Sequence, residues 1–370
     1  MKRLRLVSKR KIDLLIIDEE GSDAVQHCVP DNVSYSILPV RNAIPFLFSI
    51  KFFIKFFVKI INNENMRFSA LLSFIEVLSP SVIISFIDNA ERNGKLQDIF
   101  PDKLVISVQN GLRTVSNGFP NKVPVLYGFG NYEHDLLMSV KARIKEYIPA
   151  GSLKFSIFMD KYAKSCKEGK YDICYVSSFN FRAYTGLIET TPAGKVQEEL
   201  YPKIVSICQK RGYSLSVAMK SETKESDMYL QELQYFQNMD KQNYATYVGN
   251  SSEKFTSYCV ALSSEIILGI SSTLIYEMYG YGKKVLFLGA GSLEMQNSMK
   301  SVMNFSKLAE DVCSRSMNKD NIENQLLSLK KKDNDNYLSA ISESQSYYMN
   351  YGKEFTHHVI KERIRSFVYD

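Results

Sequence analysis

The sequence predicts an α/β fold built from two doubly wound domains. Short apolar runs rich in Ile and Val recur along the chain and alternate with stretches of helical spacing. Several of these runs end in acidic or amide residues: Asp18-Glu19, Asp88-Asn89 and Gln109-Asn110. A strand–turn–helix–strand unit stands late in the chain, over Ser263–Gly289. The 370 residues are enough for two such domains. The expected division is 1–150, 151–345 and a terminal helix within 346–370.

In order, Lys11–Asp18 reads as a strand, Glu19-Glu20-Gly21 as a turn, and Ser22–Cys28 as a helix start. Val33–Pro39 alternates like a strand. Ile44–Ile61 reads as one helix, with Lys51, Lys55 and Lys59 on one face and Phe, Ile, Val and Leu almost everywhere else. It reads either as a core helix whose lysines reach solvent or, because its apolar arc is wider than a surface helix needs, as a helix lying on an anionic membrane with its lysines near headgroups. Phe68–Leu78 is helical, Ser81–Ile87 a buried strand, Arg92–Phe100 a helix, and Leu104–Val108 and Val123–Phe129 strands. A helix starts at Tyr132, and Lys154–Lys170 reads as a connector. The second domain opens with the strand Tyr171–Val176, followed by a helix over Pro192–Arg211 kinked at Pro202 and a strand over Tyr213–Met219. Ser221–Lys241 is polar, Met303–Leu308 begins a small segment, and Asn318–Leu329 is helical. Lys330–Tyr337 is a charged break and Tyr347–Val368 a terminal basic helix.

Within the late unit, Ile266–Leu268 marks a strand and Leu274, Ile275, Met278 and Tyr279 a helix, while Val285–Leu288 is the returning strand. Ser271, Ser272 and Thr273 join the first strand to the helix. Free N–H groups at a helix start, the positive end of the dipole and adjacent hydroxyls together make a phosphate site. Glu277, about one turn on, is placed to hold a ribose diol. Plain helix capping explains the same residues without a ligand.

Net charge is +6, too weak and dispersed for nucleic acid but suited to nucleotides or an anionic membrane face. The six cysteines form no CxxC and read as reduced thiols, and the four histidines form no HExxH, so no metal centre is expected. No signal peptide and no apolar run long enough to span a bilayer stand out. These features lead to the expectation of a cytoplasmic protein, with the 44–61 helix as the candidate contact with the inner membrane face.

Six blocks in order carry a resemblance: IDLLIIDEEGS, VIISFIDNAERNGKLQDIFPDKLVISVQNGLRT, YGFGN, IPAGSL, ICYVSSF and GISSTLIYEMYGYGKKVLFLG. Together they resemble a family of bacterial surface-carbohydrate biosynthesis proteins of lipopolysaccharide and O-antigen clusters. The pattern is also similar to the retaining β-Kdo transferases, which use CMP-linked ulosonic acids. The chain keeps the Ser272, Thr273 and Glu277 of that pattern but leaves its strand as Gly269-Ile270-Ser271. The resemblance implies a GT-B fold, with two Rossmann-like domains facing a cleft and the terminal helix packing back on the N-terminal domain. It implies a metal-independent glycosyltransferase with a nucleotide sugar, CMP-linked by preference, as donor and a glycan or glycolipid as acceptor, and no cofactor.

On that reading Ser177, Ser178, Ser271, Ser272, Thr273 and Glu277 bind the donor. The chemistry needs a carboxylate as nucleophile or base. The candidates are Asp88, which ends the most apolar strand, then Glu19 and Glu232. Asn89, Gln109, Asn110 and Arg113 are candidates for acceptor hydroxyls or a donor carboxylate, Arg113 because its guanidinium is bidentate. Asp333-Asn334-Asp335 and His357-His358 read as solvated surface. Three other readings stay open: a sugar-nucleotide epimerase with His134 as its histidine, a polyol-phosphate transferase, and a non-catalytic nucleotide-sugar-binding protein.

Overall fold

A computed structural model describes residues 5–6, 11–41, 45–46, 49–61, 65–113, 120–167, 169–222, 226–251, 254–290, 292 and 307–369. The chain divides into two compact units. The first is Met1–Gly111, Gly118–Ile157 and Tyr351–Asp370; the second is Leu112–Asn117 and Phe158–Asn350.

In the first unit, β1 (Arg5–Leu6) pairs with β4 (Pro45–Phe46) in a small parallel ladder. The main sheet has six parallel strands: β2 (Leu14–Ile17), β3 (Tyr35–Leu38), β5 (Val82–Ser85), β6 (Leu104–Val108), β7 (Lys122–Gly128) and β8 (Arg143–Pro149). Their order is β3-β2-β5-β6-β7-β8. The central strands are buried along their whole length, which is why they read as continuous apolar runs rather than alternating ones. Helices α1 (Ser22–Gln26), α2 (Ile50–Ile61), α3 (Met66–Leu78), α4 (Glu91–Ile99) and α5 (Asn131–Ser139) connect them. Phe52 and Phe56 of α2 pack with Phe74 of α3 against Leu15, Ile17 and Ile83 of the sheet. Edge strand β8 is absent from the sequence reading. Its burial is only partial and it carries Arg143, Lys145 and Glu146, the charge pattern of a protected edge.

Helix α6 (Leu153–Lys161) and a 3-10 turn (Ala163–Ser165) occupy the stretch expected to be a connector. The second unit holds five parallel strands: β9 (Tyr171–Val176), β10 (Leu215–Ala218), β11 (Thr246–Val248), β12 (Ser264–Gly269) and β13 (Lys284–Phe287). Their order is β11-β10-β9-β12-β13. Its helices are α7 (Phe181–Tyr184), α8 (Pro192–Arg211), α9 (Asp227–Met239), α10 (Thr256–Leu262), α11 (Thr273–Gly280), α12 (Lys319–Lys331) and α13 (Asn334–Tyr348). Pro202 lies inside α8. The charged stretch 330–337 is a much shorter break than expected, because Asp333 caps α13 by accepting from Asn336 N–H at 2.8 Å. Cys166 and Cys259 form a disulfide, whereas all six cysteines were expected to be reduced thiols; Cys28, Cys174, Cys208 and Cys313 are free and buried.

The expected 347–368 helix is two elements. α13 ends at Tyr348, and α14 (Thr356–Tyr369) belongs to the first unit. The terminal helix packs back on the N-terminal unit: Thr356 Oγ1 donates to Ala150 O at 2.5 Å, and Arg363 pairs with Glu146 at 2.8 Å. His357, expected at the surface, is buried with Nδ1 2.8 Å from Ser156 Oγ. Of the expected 44–61 helix, residues 44, 47 and 48 lie outside the described residues, as do 303–306 of the small segment expected from Met303.

Candidate functional site

In open parallel sheets, ligands bind beyond the carboxyl ends of the strands where the strand order reverses. In the second unit that point lies between β9 and β12: the chain runs β9 to β10 to β11 on one side, then starts again with β12 on the other. Ser177-Ser178 leaves β9 there, and Ile270–Thr273 leaves β12. Ser272 is the N-cap of α11 with extended backbone, yet its side chain makes no capping hydrogen bond. Ser271, Ser272 and Thr273 are half-buried. The helix start therefore presents backbone donors and hydroxyls together at the sheet's switch point, the arrangement that receives a phosphate.

The neighbouring serines divide. Ser177 Oγ donates to Glu232 Oε1 at 2.5 Å and accepts from Phe179 N–H at 3.1 Å, so it shapes the turn. Ser178 N–H donates to the buried Gln197 Oε1 at 2.8 Å, while its Oγ is buried without a partner. Ser178 thus remains the open hydroxyl of the two.

Glu232, one of the three carboxylates considered for catalysis, is 0% exposed. It also accepts from Lys220 N–H at 2.9 Å and Ser221 N–H at 2.7 Å. With both oxygens held by donors from the β9 and β10 exits, it is an anchor between those loops and α9, not a group facing substrate. Glu232→Ala would orphan three donors, two of them buried, and is expected to destabilise the protein by about 3–5 kcal/mol, read as a drop in denaturation midpoint. Glu277 is likewise 2% exposed, and its Oε1 accepts from Tyr258 OH at 3.1 Å. It is an internal carboxylate of α11 in contact with Tyr258 of α10.

The first unit has its own switch point, between β2 and β5. Asp18 at the β2 exit is spoken for: Oδ1 accepts from Val40 N–H at 3.1 Å and Arg41 N–H at 2.9 Å, and Oδ2 pairs with Arg92. Glu19 follows half-buried, its carbonyl accepting from Ser22. Asp88 lies three residues beyond β5 and is 7% exposed. It does not cap α4, whose N-cap is Ala90. Its loop is fixed by Asn93, which donates to Ile87 O at 2.8 Å and Ser107 Oγ at 2.9 Å. Asp88 Oδ1 accepts from Asn110 N–H at 3.4 Å, so the exits of β5 and β6 meet at this carboxylate. Asn89 beside it is half-buried. Gln109 is buried and structural: Oε1 accepts from Phe129 N–H at 2.8 Å and Nε2 donates to Gly111 O at 3.0 Å. Asn110 is half-buried, and Arg113, also half-buried, falls in the short segment counted with the second unit.

The structure adds a residue that the sequence reading passed over. Glu133, in the first turn of α5, is 2% exposed, and neither of its oxygens completes a hydrogen bond. Burial first, and then the Asp88 charge, push its carboxyl up to about 8, against the Gln109 amide and the N–H groups of Glu133 and Gly130. Tyr147 of β8 lies beside it and donates to Gly130 O. Burial and the charges of Glu133 and Asp88 raise the Tyr147 phenol well above its ordinary range. A Cβ on Gly128 would sit 2.0 Å from the Tyr147 hydroxyl, which explains the first glycine of YGFGN. The His134 ring lies 5.1 Å from that of Tyr147. An acidic residue in a helix's first turn is ordinary, so Glu133 carried no sequence signal beyond its place after that glycine pair.

No protein-family model and no curated protein matches the sequence. Solved structures do match in fold. The UDP-GlcNAc 2-epimerase from Neisseria meningitidis bound to UDP-GlcNAc aligns over 95% of this chain and 98% of its own, with TM-score 0.50 and 12% identity. The wall teichoic acid polymerase TagF aligns over 97% and 90%, with TM-score 0.55 and 12% identity. A glycosyltransferase from Rickettsia africae aligns over 97% and 99%, with TM-score 0.50 and 10% identity. The chain therefore has the GT-B fold, two parallel α/β units of the kind that these glycosyltransferases and epimerases share.

Proposed function

We propose that the chain is a glycosyltransferase that takes a nucleotide-activated sugar as donor and a glycan or glycolipid as acceptor. The observation that carries this reading is the uncapped hydroxyl turn Ser271-Ser272-Thr273 at the switch point of the second sheet. There the backbone amides opening α11, with Ser178 Oγ across the switch point, receive the donor phosphate. No Asp-x-Asp pair ends a strand in the sequence, so these donors rather than a bound cation balance the phosphate charge. Asp88 in the first unit is the reacting carboxylate, with Asn89 and Asn110 beside it for hydroxyl groups. Neighbours of this fold bear on the donor: one is an epimerase bound to UDP-GlcNAc, and TagF has been soaked with CDPG. Those ligands support a nucleotide-activated donor, and the CMP-linked ulosonate of a surface-polysaccharide pathway is one member to test. A thermal-shift screen with CMP, UDP, GDP and CDP makes the choice. Selective stabilisation by CMP supports the ulosonate, and stabilisation by UDP alone rejects it.

A second reading has one specific observation in its favour. A carboxylate pair with a histidine close by suits an epimerase, and the first unit gathers Asp88, Glu133 and His134 around Tyr147. Incubation with the stabilising nucleotide sugar and no acceptor separates the two: inversion at a sugar carbon identifies the epimerase, and an unchanged sugar the transferase.

Peripheral membrane contact is part of the same proposal. Ile50, Ile54, Phe57, Val58 and Ile61 form one exposed apolar stripe on α2, with Ile50 80% and Ile61 77% exposed. The lysines play a different part from the expected one. Lys55 and Lys59 close on Glu76 of α3 at 2.6 and 2.8 Å, and Lys51 is the exposed member. Burial pushes the Glu76 carboxyl up, but the two ammonium groups outweigh it and hold it below the usual range. Attachment therefore rests on the apolar stripe more than on charge. No described helix is long and apolar enough to cross a membrane. Phe57→Glu with Ile54→Glu is expected to abolish co-sedimentation with vesicles, while raising salt weakens it only partly; unchanged binding by the double variant rejects the contact.

A further inference from the structure

Between the start of α3 and α4 the first unit has an open cavity of about 430 Å³, lined by Asn65, Phe68, Arg92 and Lys95. That is the size of a small-ligand site. The lining combines an aromatic ring, an amide and two cationic side chains. Phe68 is half-buried and packs on the core shared by α2, α3 and the sheet. Asn65 caps α3 with its Oδ1, which accepts from Arg67 N–H at 3.0 Å, so the cap does not use its NH2 group. Arg92 pairs with Asp18 at the β2 exit, but its Nε–H is buried and completes no hydrogen bond. A guanidinium has five N–H donors, so one carboxylate does not satisfy it. Lys95 is exposed, and its 3.2 Å pair with Glu91 is a surface contact of little worth. Arg92 also stands in the first turn of α4, whose N-cap Ala90 makes no side-chain bond. A cation there works against the helix dipole, and an anion beside it relieves that conflict.

Two features of position indicate what the anion is attached to. Arg92 follows Asp88 by four residues and bonds to the β2 exit, so this wall of the cavity stands at the switch point of the first sheet. Asn65, at the other wall, follows Ile61 by four residues, and Ile61 is the last member of the exposed apolar stripe of α2. The cavity therefore lies in the chain between an apolar surface suited to lipid and the loop that carries the proposed reacting carboxylate. We propose that it is an acceptor subsite for a lipid-linked phosphate: Arg92 and Lys95 bind the phosphate, and the lipid continues onto the α2 stripe. This rests on the proposed transferase for its purpose, but the phosphate site is measurable without any nucleotide.

The test is calorimetric titration of the nucleotide-free protein with three probes: dihexanoyl phosphatidic acid, dihexanoyl phosphatidylcholine and inorganic phosphate, the lipids below their micelle concentrations. Phosphatidic acid is expected to bind at least tenfold more tightly than either of the others. Lys95→Glu is expected to remove at least tenfold of its affinity and leave phosphatidylcholine unchanged. Lys95→Gln, the milder change at this exposed position, should remove a smaller part, and both variants keep the Arg92–Asp18 pair that holds α4. Phosphatidylcholine binding as tightly as phosphatidic acid overturns the proposal, because the stripe alone would then account for the lipid. Inorganic phosphate binding as tightly overturns it as well, because the site would then take a free anion. Affinity for phosphatidic acid unchanged in both Lys95 variants places the phosphate elsewhere and overturns it too. A protein that passes this test but is stabilised by no nucleotide keeps the phosphate site and loses the proposed transferase; one stabilised by a nucleotide that fails it loses only the phosphate site.

Discussion

Asp88→Asn is expected to lower turnover by about 10²–10⁴-fold while leaving the melting temperature close to that of the wild type, because it removes a charge and proton acceptor rather than a packed group. Asparagine retains the Oδ1 that accepts from Asn110 N–H, and the Asn93 bonds that pin the loop to α4 and β6 do not involve residue 88. Steady-state kinetics on the nucleotide sugar identified by thermal shift, with a melting curve on the same sample, is the check. Turnover within a few-fold of wild type would remove Asp88 from the chemistry. The half-buried Glu19 would then be the carboxylate to test, since Glu232 is fully occupied as an anchor.

Glu133→Gln is expected to make the protein more stable at pH 8, by on the order of 3–5 kcal/mol. The sign follows from linkage. Burial raises the folded-state carboxyl from the ordinary 4.5 to about 8, so between those values the native state binds a proton that the unfolded chain has lost. Stability is full below about pH 4.5, declines as pH rises toward about 8, and is level above it. Glutamine mimics the neutral acid and removes the decline. Urea unfolding midpoints of both proteins at pH 5 and pH 8 measure this: the difference should be small at pH 5 and large at pH 8. Equal midpoints at pH 8 would mean that the carboxylate is stabilised in place by the helix N-terminus.

Much of the fold was legible because its strands are parallel and central. The strands β2, β5 and β6 are buried along their whole length and β9 and β12 along most of it, and that burial writes itself as short apolar runs of Leu, Ile and Val, with Cys and Tyr in β9. The edge strand β8 hid behind alternating charge, and α6 hid in a stretch with lysines at both ends. The site was legible in position and less so in role. Strand ends can be read from sequence, which placed Asp88, Gln109-Asn110, Ser177-Ser178 and Ser271–Thr273 at sheet edges. Whether a polar side chain at such an edge faces outward depends on partners remote in sequence. Gln109 turns back to Phe129, Glu232 reaches across to the β10 exit, and Glu277 meets Tyr258. Glu133 is the converse case, an ordinary first-turn acid made unusual by burial, and then by the Asp88 charge arriving from another strand.

The central claim is that the hydroxyl turn opening α11 holds the phosphate of a nucleotide. Its most direct test is the melting temperature of the wild type and of a Ser271→Ala, Thr273→Val variant, each with and without CMP, CDP, UDP and GDP at concentrations well above a typical nucleotide Kd. The account predicts that at least one nucleotide raises the wild-type melting temperature by several degrees, in the ~2–4 °C per kcal/mol range for a chain of this size, and that the variant folds but loses most of that rise. No rise with any of the four, or an equal rise in the variant, would contradict it.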